Sequence, residues 1–227
     1  MAKHFRWAYN RAAKTGQPRE YAIASATAIE QGEVVTRASG LITAIGDQDQ
    51  DDPYLGIAAE PHDGSTAGRQ SGTLIKVYDS PDDIFAHTPS VVITATGGST
   101  TTFVDSNLAG FATDNDLNGG MLKIVSCAAD SSLNGRLVPI SDYTASGGTI
   151  TLGETLPAAL AANDTALLVP GIQAIGNHAH DLNSDGTDIE WESSGGECME
   201  IWDVDPSAFT VFFRLRQHLN SPHALAI

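Results

Sequence analysis

Apolar and polar residues alternate in short runs along this chain, and no segment keeps a helical period. Residues 33–44, 54–60, 72–78 and 90–96 are β-branched or alternate at the period of two expected of half-buried strands. The loops between them are acidic or rich in Gly and Pro, as at 47–53, 62–72 and 79–83, which predicts four strands of a small barrel. A second cluster follows the break at Gly97-Gly98, with strands expected over 101–104, 121–128, 135–143, 148–152 and 164–169. Gly119-Gly120 and Gly147-Gly148 supply its turns, and Pro170-Gly171 closes it. Two more strands, 198–204 and 209–215, are joined by the turn Asp205-Pro206-Ser207. Two strands form a poor domain alone, so they are expected to complete an earlier sheet. The best helical stretch, 156–162, amounts to one or two turns beginning at Pro157.

The expected fold is therefore all-β, with two small barrel- or sandwich-like domains and almost no helix. Residues 20–96 and 171–227 form the first domain, 97–170 an inserted second domain, and 1–19 an extended arm. Composition agrees with this turn-rich reading. The chain has 227 residues, 41% hydrophobic, with 22 glycines, enough for one or two compact cores.

Charge separates the arm from the body. The formal net charge is −16, yet residues 1–19 carry +5 and no acid, leaving −21 on the remainder. So acidic a body repels phosphates and anionic lipid, because affinity for both depends on Lys and Arg. Direct nucleic-acid or membrane binding is not expected, and no apolar run is long enough to cross a bilayer. The arm interleaves Phe5, Trp7 and Tyr9 with Arg6 and Arg11, a composition suited to docking on an acidic protein surface. Nucleic-acid contact and plain terminal disorder are the competing readings. Cys127 and Cys198, 71 positions apart, match no zinc spacing, and no secretory signal is evident, so synthesis in a reducing cytoplasm is expected. Whether the two cysteines pair is left open.

Two stretches resemble known virion proteins. Ile29-Glu30-Gln31-Gly32-Glu33-Val34-Val35, then Tyr54-Leu55-Gly56-Ile57-Ala58-Ala59-Glu60, then Gly72-Thr73-Leu74-Ile75-Lys76-Val77-Tyr78 resembles the small β-barrel of tailed-phage capsid decoration, or cement, proteins. In physical terms Gly32 permits a tight turn and Gly56 a close strand crossing. Gly135 to Tyr143, Gly148 to Leu152 and Leu156 to Thr165 resemble a second barrel that recurs in phage particles, with Asn163 where Gly is usual. Asn also adopts left-handed conformations, so the exchange is tolerable. The resemblance implies a virion component, and the leading expectation is a non-enzymatic protein that binds the capsid exterior, contacts the major capsid protein and assembles as a homotrimer. A neck, tail or fibre component uses the same barrels.

Few patterns suggest chemistry. Asp181, Asn183, Asp185, Gly186 and Glu192 fit the D-x-N-x-D-G-x5-E spacing of a calcium loop. Flanking helices are missing and Asp188 stands where an apolar residue is usual, so an acidic hairpin loop is the competing reading. His178 and His180 form an H-x-H without a third ligand in register. No nucleophile elbow or phosphate loop is present, and the acidic pairs sit in turns. A carbohydrate-binding module would need Trp191 and Trp202 to line one sheet face. No catalytic residue and no obligatory cofactor are expected.

Overall fold

The structure is a computed structural model that describes residues 5–12, 16–24, 27–45, 54–64, 74–90, 92–109, 114–171, 174–175, 181–182, 187–191 and 199–215. It is all-β, with no α-helix among the described residues. The first strands are β1 (Arg6–Asn10), β2 (Arg19–Ala22), β3 (Val34–Ala38), β4 (Leu41–Ala44), β5 (Tyr54–Ala58), β6 (Leu74–Tyr78) and β7 (Asp83–His87). Next come β8 (Ile93–Thr94), β9 (Gly97–Gly98), β10 (Thr102–Val104), β11 (Met121–Ser126), β12 (Leu137–Thr144), β13 (Thr149–Leu152) and β14 (Thr165–Val169). The last are β15 (Asp181–Leu182), β16 (Ile189–Glu190), β17 (Met199–Asp205) and β18 (Thr210–Leu215).

They build three principal antiparallel sheets, ordered β2-β6-β5-β3-β4, β1-β7-β18-β17 and β8-β14-β11-β12-β13-β10-β9, beside the two-stranded ladder β15-β16. The five-stranded sheet curls until its edges meet, through the Ile23–Ile42 bridge and the Ala24 N–H on the Ile42 carbonyl at 3.0 Å. Its interior is a separate cluster that includes Ile23, Ile29, Val35, Ile42, Leu55, Ile75 and Val77. Gly56 makes so tight a curl possible. A Cβ there would lie 2.0 Å from the Tyr78 carbonyl oxygen, so no side chain fits between β5 and β6. Gly32, at φ 86°, turns the chain into β3.

The segment 33–44 is a hairpin rather than one strand. Ser39 and Gly40 stand at φ 50° and 85° between the paired residues Ala38 and Leu41. That is the two-residue loop whose left-handed pair matches the twist of the strands. Residues 90–96 leave the first barrel too: β8 pairs with β14, so the seven-stranded sheet begins at Ile93. The stretch 156–162 is irregular, not helical. Leu156 and Leu160 are buried while their N–H groups reach the carbonyls of Thr100 and Ser99 at 2.8 and 3.0 Å. Asn163, at φ 73°, takes the left-handed conformation.

The amino-terminal segment is not a free arm. β1 pairs with β7, and β2 pairs with β6 from Arg19 onward. β18 holds the other side of β7, so both ends of the described chain meet on one strand. The reason is burial. Phe5, 3% exposed, packs edge-on against His87 and Phe213, with ring centroids 4.6 and 4.7 Å away. A ring of that size contributes about 2–3 kcal/mol when removed from water, enough to hold a short strand in place.

Two glycines separate steric need from composition. Gly56→Ala is expected to destabilise the fold by about 1–3 kcal/mol. Gly97→Ala, where a Cβ meets nothing within 4 Å, should be close to neutral. Equilibrium unfolding in urea checks both.

Candidate functional site

A groove of about 870 Å³ lies between β1 and the curled barrel. Phe5 and Trp7 on one side face Ile29, Ile57 and Tyr78 on the other, and Arg6 and His62 add polar groups. Alternation along β1 sends Phe5 and Trp7 inward. The Trp7 ring stacks on Tyr78 at 5.9 Å with an 18° interplanar angle, and its Nε1–H donates to Asp83 Oδ1 at 3.1 Å. Asn10 Nδ2 donates to the same oxygen at 2.8 Å. His62 is 3% exposed, and its Nδ1 donates to the Thr27 carbonyl at 2.8 Å.

The five residues expected to grip a neighbouring subunit therefore divide. Phe5 and Trp7 are spent on the chain's own core, and Arg11 reaches across the sheet to lie 4.4 Å over the Trp202 ring. Arg6 and Tyr9 remain exposed. Arg6 has no ion-pair partner among the described residues, unlike Arg19, Arg136 and Arg214, which pair with Asp79, Glu154 and Glu200.

A second polar constellation lies in the interior. His87 Nε2 donates to Asp188 Oδ1 at 2.5 Å, and the Ser90 hydroxyl and N–H and the Ile189 N–H converge on the same carboxylate. Ser, His and Asp together suggest a hydrolytic triad, but the geometry is wrong for one. The serine donates to the aspartate rather than to the histidine, and His87 is 0% exposed, so no nucleophile is activated. The group is a staple that ties residues 187–191, with the buried Ile189 and Trp191, to the end of β7. Burial pushes the Asp188 carboxyl up, but the donors from His87 and Ser90 outweigh it and hold it below the usual carboxylate range.

Of the proposed calcium loop, Asn183, Asp185 and Glu192 lie outside the described residues, as do His178, His180 and Cys198. Asp181 is placed as backbone in β15. Asp188, which weakened that reading in sequence, is the staple. Another stretch, Asp114-Asn115-Asp116-Leu117-Asn118-Gly119, spells the opening of a calcium loop and was passed over in the sequence reading. Here it makes a turn. Gly119 stands at φ 79°, Asp114 accepts the Ala145 N–H at 2.8 Å, and Asn118 Nδ2 donates to Asn115 and Asp142 at 3.0 and 3.3 Å. Among the described residues no three His, Cys, Asp or Glu side chains are grouped to hold an ion. Cys127 is buried. Trp191 is 3% exposed and Trp202 is covered by Arg11, so the two do not form an open aromatic face.

The outer face of the seven-stranded sheet carries the other exposed feature. Leu122, Ile124, Val138 and Ile140 point inward, while Val125 and Leu137 are 41% and 45% exposed beside exposed Pro139. The pairing places Met121 between Val169 and Pro139, and Lys123 between Leu167 and Leu137. Leu167 and Val169 are covered, so the row Val169, Met121 and Pro139 runs from buried to exposed across three strands, with Lys123 interrupting the row beside it.

Compared with family models, curated proteins and solved structures, the chain matches none.

The staple has a pH signature. A carboxyl lowered on folding contributes stability that is fully present above its ordinary value of about 3.9 and is lost as pH falls through the lower folded value. Asp188→Ala should cost about 3 kcal/mol at neutral pH by leaving the buried His87 and the half-buried Ser90 without their acceptor. It should also flatten the decline in stability below about pH 4, which unfolding curves measured across pH 2–7 would reveal.

Proposed function

We propose that this chain is a structural virion protein that binds the outside of a tailed-phage capsid and cements neighbouring major capsid subunits. The observation that carries the reading is the exposure of the apolar residues Val125, Leu137 and Pro139 on the adjacent strands β11 and β12 rather than on a loop. A rigid apolar face on an otherwise acidic body suits attachment to another protein surface. The residues behind the resemblance also act as the barrels require: Gly32 and Asn163 are left-handed, and Gly56 excludes a side chain.

The mechanism is mass action. A partner that binds only the assembled shell lowers its free energy by an amount that grows with occupancy, and so opposes the outward pressure of packaged nucleic acid. Assembly as a homotrimer fits this role, since barrels with exposed edges gain stability around a symmetry axis. The acidic body keeps the protein off the packaged nucleic acid. A neck, tail or fibre component is the second reading, distinguished by copy number: decoration requires many copies over the shell.

Purified protein mixed with undecorated shells should co-sediment with them. Val125→Glu combined with Leu137→Glu is expected to weaken attachment at least tenfold, about 1.4 kcal/mol, without lowering the unfolding temperature. Wild-type protein that stays in the supernatant would overturn the proposal.

A further inference from the structure

We infer that copies of this chain associate head to tail through the two edges of the four-stranded sheet, β1 of one copy pairing with β17 of the next. Among the described residues the sheet order β1-β7-β18-β17 leaves β1 and β17 as terminal strands, each with one row of backbone groups not used by the sheet. Every pairing inside the sheet is antiparallel, and four is an even number, so β1 and β17 run in opposite directions. A copy added head to tail therefore continues the antiparallel alternation. On the β1 side a groove of about 870 Å³ runs beside the strand, bridged to the barrel by the Phe5 N–H on the Gly32 carbonyl at 3.2 Å and by the Trp7–Tyr78 stack.

Charge selects the pairing. β1 carries exposed Arg6 and no acid, whereas β17 carries Glu200, Asp203 and Asp205 and no base. Glu200 is already paired with Arg214. Exposed Asp203 accepts only the neighbouring Val204 N–H, so neither it nor Arg6 has an ion-pair partner among the described residues. Setting Arg6 opposite Asp203 in an antiparallel register overlaps all of β1 with Met199–Asp203, and brings Tyr9 opposite Glu200. β1 on β1 would add no acid to meet Arg6, and β17 on β17 would bring like charges together.

Each edge strand also carries one bulge, at Ala8 and at Trp202, where the register against its inner neighbour shifts. Bulges blunt indiscriminate lateral pairing, so recognition falls to the charged pair. Because the contact joins two different surfaces, its rotation either closes into a ring or propagates. The inference supplies a surface for the self-association in the proposed function and does not depend on shell binding.

Sedimentation velocity of the full chain over a concentration series tests it without particles. Wild-type protein should associate as concentration rises. Arg6→Glu and Asp203→Lys should each weaken association about fivefold, since each replaces attraction by repulsion between exposed charges. The combined Arg6→Glu/Asp203→Lys chain should recover the wild-type behaviour, which a general loss of stability in the single variants cannot mimic. A wild-type chain that stays monomeric throughout overturns the inference, whatever its affinity for shells. Single variants that associate like wild type, or a combined variant no better than either one, overturn it equally.

Discussion

Strand β7 is the constraint on which the first half of the architecture depends. All five of its residues are buried, with β1 on one side and β18 on the other. A strand in that position must satisfy its backbone on both edges and place apolar side chains on both faces. Ile84 and Phe85 meet the second need. Its polar ends meet a third, because Asp83 binds Trp7 and Asn10 while His87 binds Asp188. The amino terminus, the carboxy-terminal hairpin and residues 187–191 are thus fastened to one five-residue strand. Losing either polar anchor would strand a buried group, which costs more than the bond itself returns.

The same logic explains part of the acidic composition. Several aspartates are not surface charge but clamps on backbone N–H groups or on side chains of a neighbouring strand. Asp105 accepts Asn107 and Thr94 at 3.0 and 3.2 Å, and Asp164 accepts Ala128 and Ala161 at 2.8 Å each. Asp79 takes the Arg19 guanidinium and the Tyr21 hydroxyl. Each closes a turn or a strand end that short strands leave unsatisfied. The eighteen short strands among the described residues leave many such ends, and aspartate reaches its own backbone more readily than glutamate does.

Residues whose role is local were legible in the sequence. Gly32, Gly56 and Asn163 were legible from the conformations they permit, and β10 to β14 of the seven-stranded sheet from their alternation, because a half-buried strand writes its burial into a period of two. β8 and β9, two residues each and the second a Gly-Gly pair, are too short to carry that period. β7 was missed for the opposite reason. Buried on both faces and capped by Asp83 and His87, it alternates nowhere and resembles the end of an acidic loop. β1 was hidden by Arg6 and Arg11, whose charge drew attention away from the inward positions Phe5 and Trp7. In the groove, Arg6 and the aromatic residues were visible, whereas His62 was not, since its burial comes from pairing with Thr27, 35 positions away. The His87–Asp188 staple spans 101 positions, and no local pattern marks such a contact.

The cores divide the molecule differently from the chain order. The curled barrel keeps its interior to itself, as a cluster drawn only from residues 23–77. The four-stranded sheet has no such private core. Phe5, Phe85, Val211 and Phe213 belong to the same continuous cluster as Phe103, Leu122, Ile150 and Leu168 of the seven-stranded sheet. A sheet that shares its buried surface with a neighbour cannot unfold without exposing that neighbour as well, because the hydrophobic contribution scales with the joint area removed from water. Val34, Ile45, Tyr54 and Ile57 of the barrel belong to that same cluster, so the two larger sheets and this side of the barrel form one cooperative unit, reinforced by the Trp7–Tyr78 stack and the Phe5–Gly32 hydrogen bond at 3.2 Å. The groove beside β1 lies on that seam, and because Phe5 and Ile57 line it from opposite sides while belonging to the shared core, the space along the strand is fixed by the same packing that joins the barrel to the sheets.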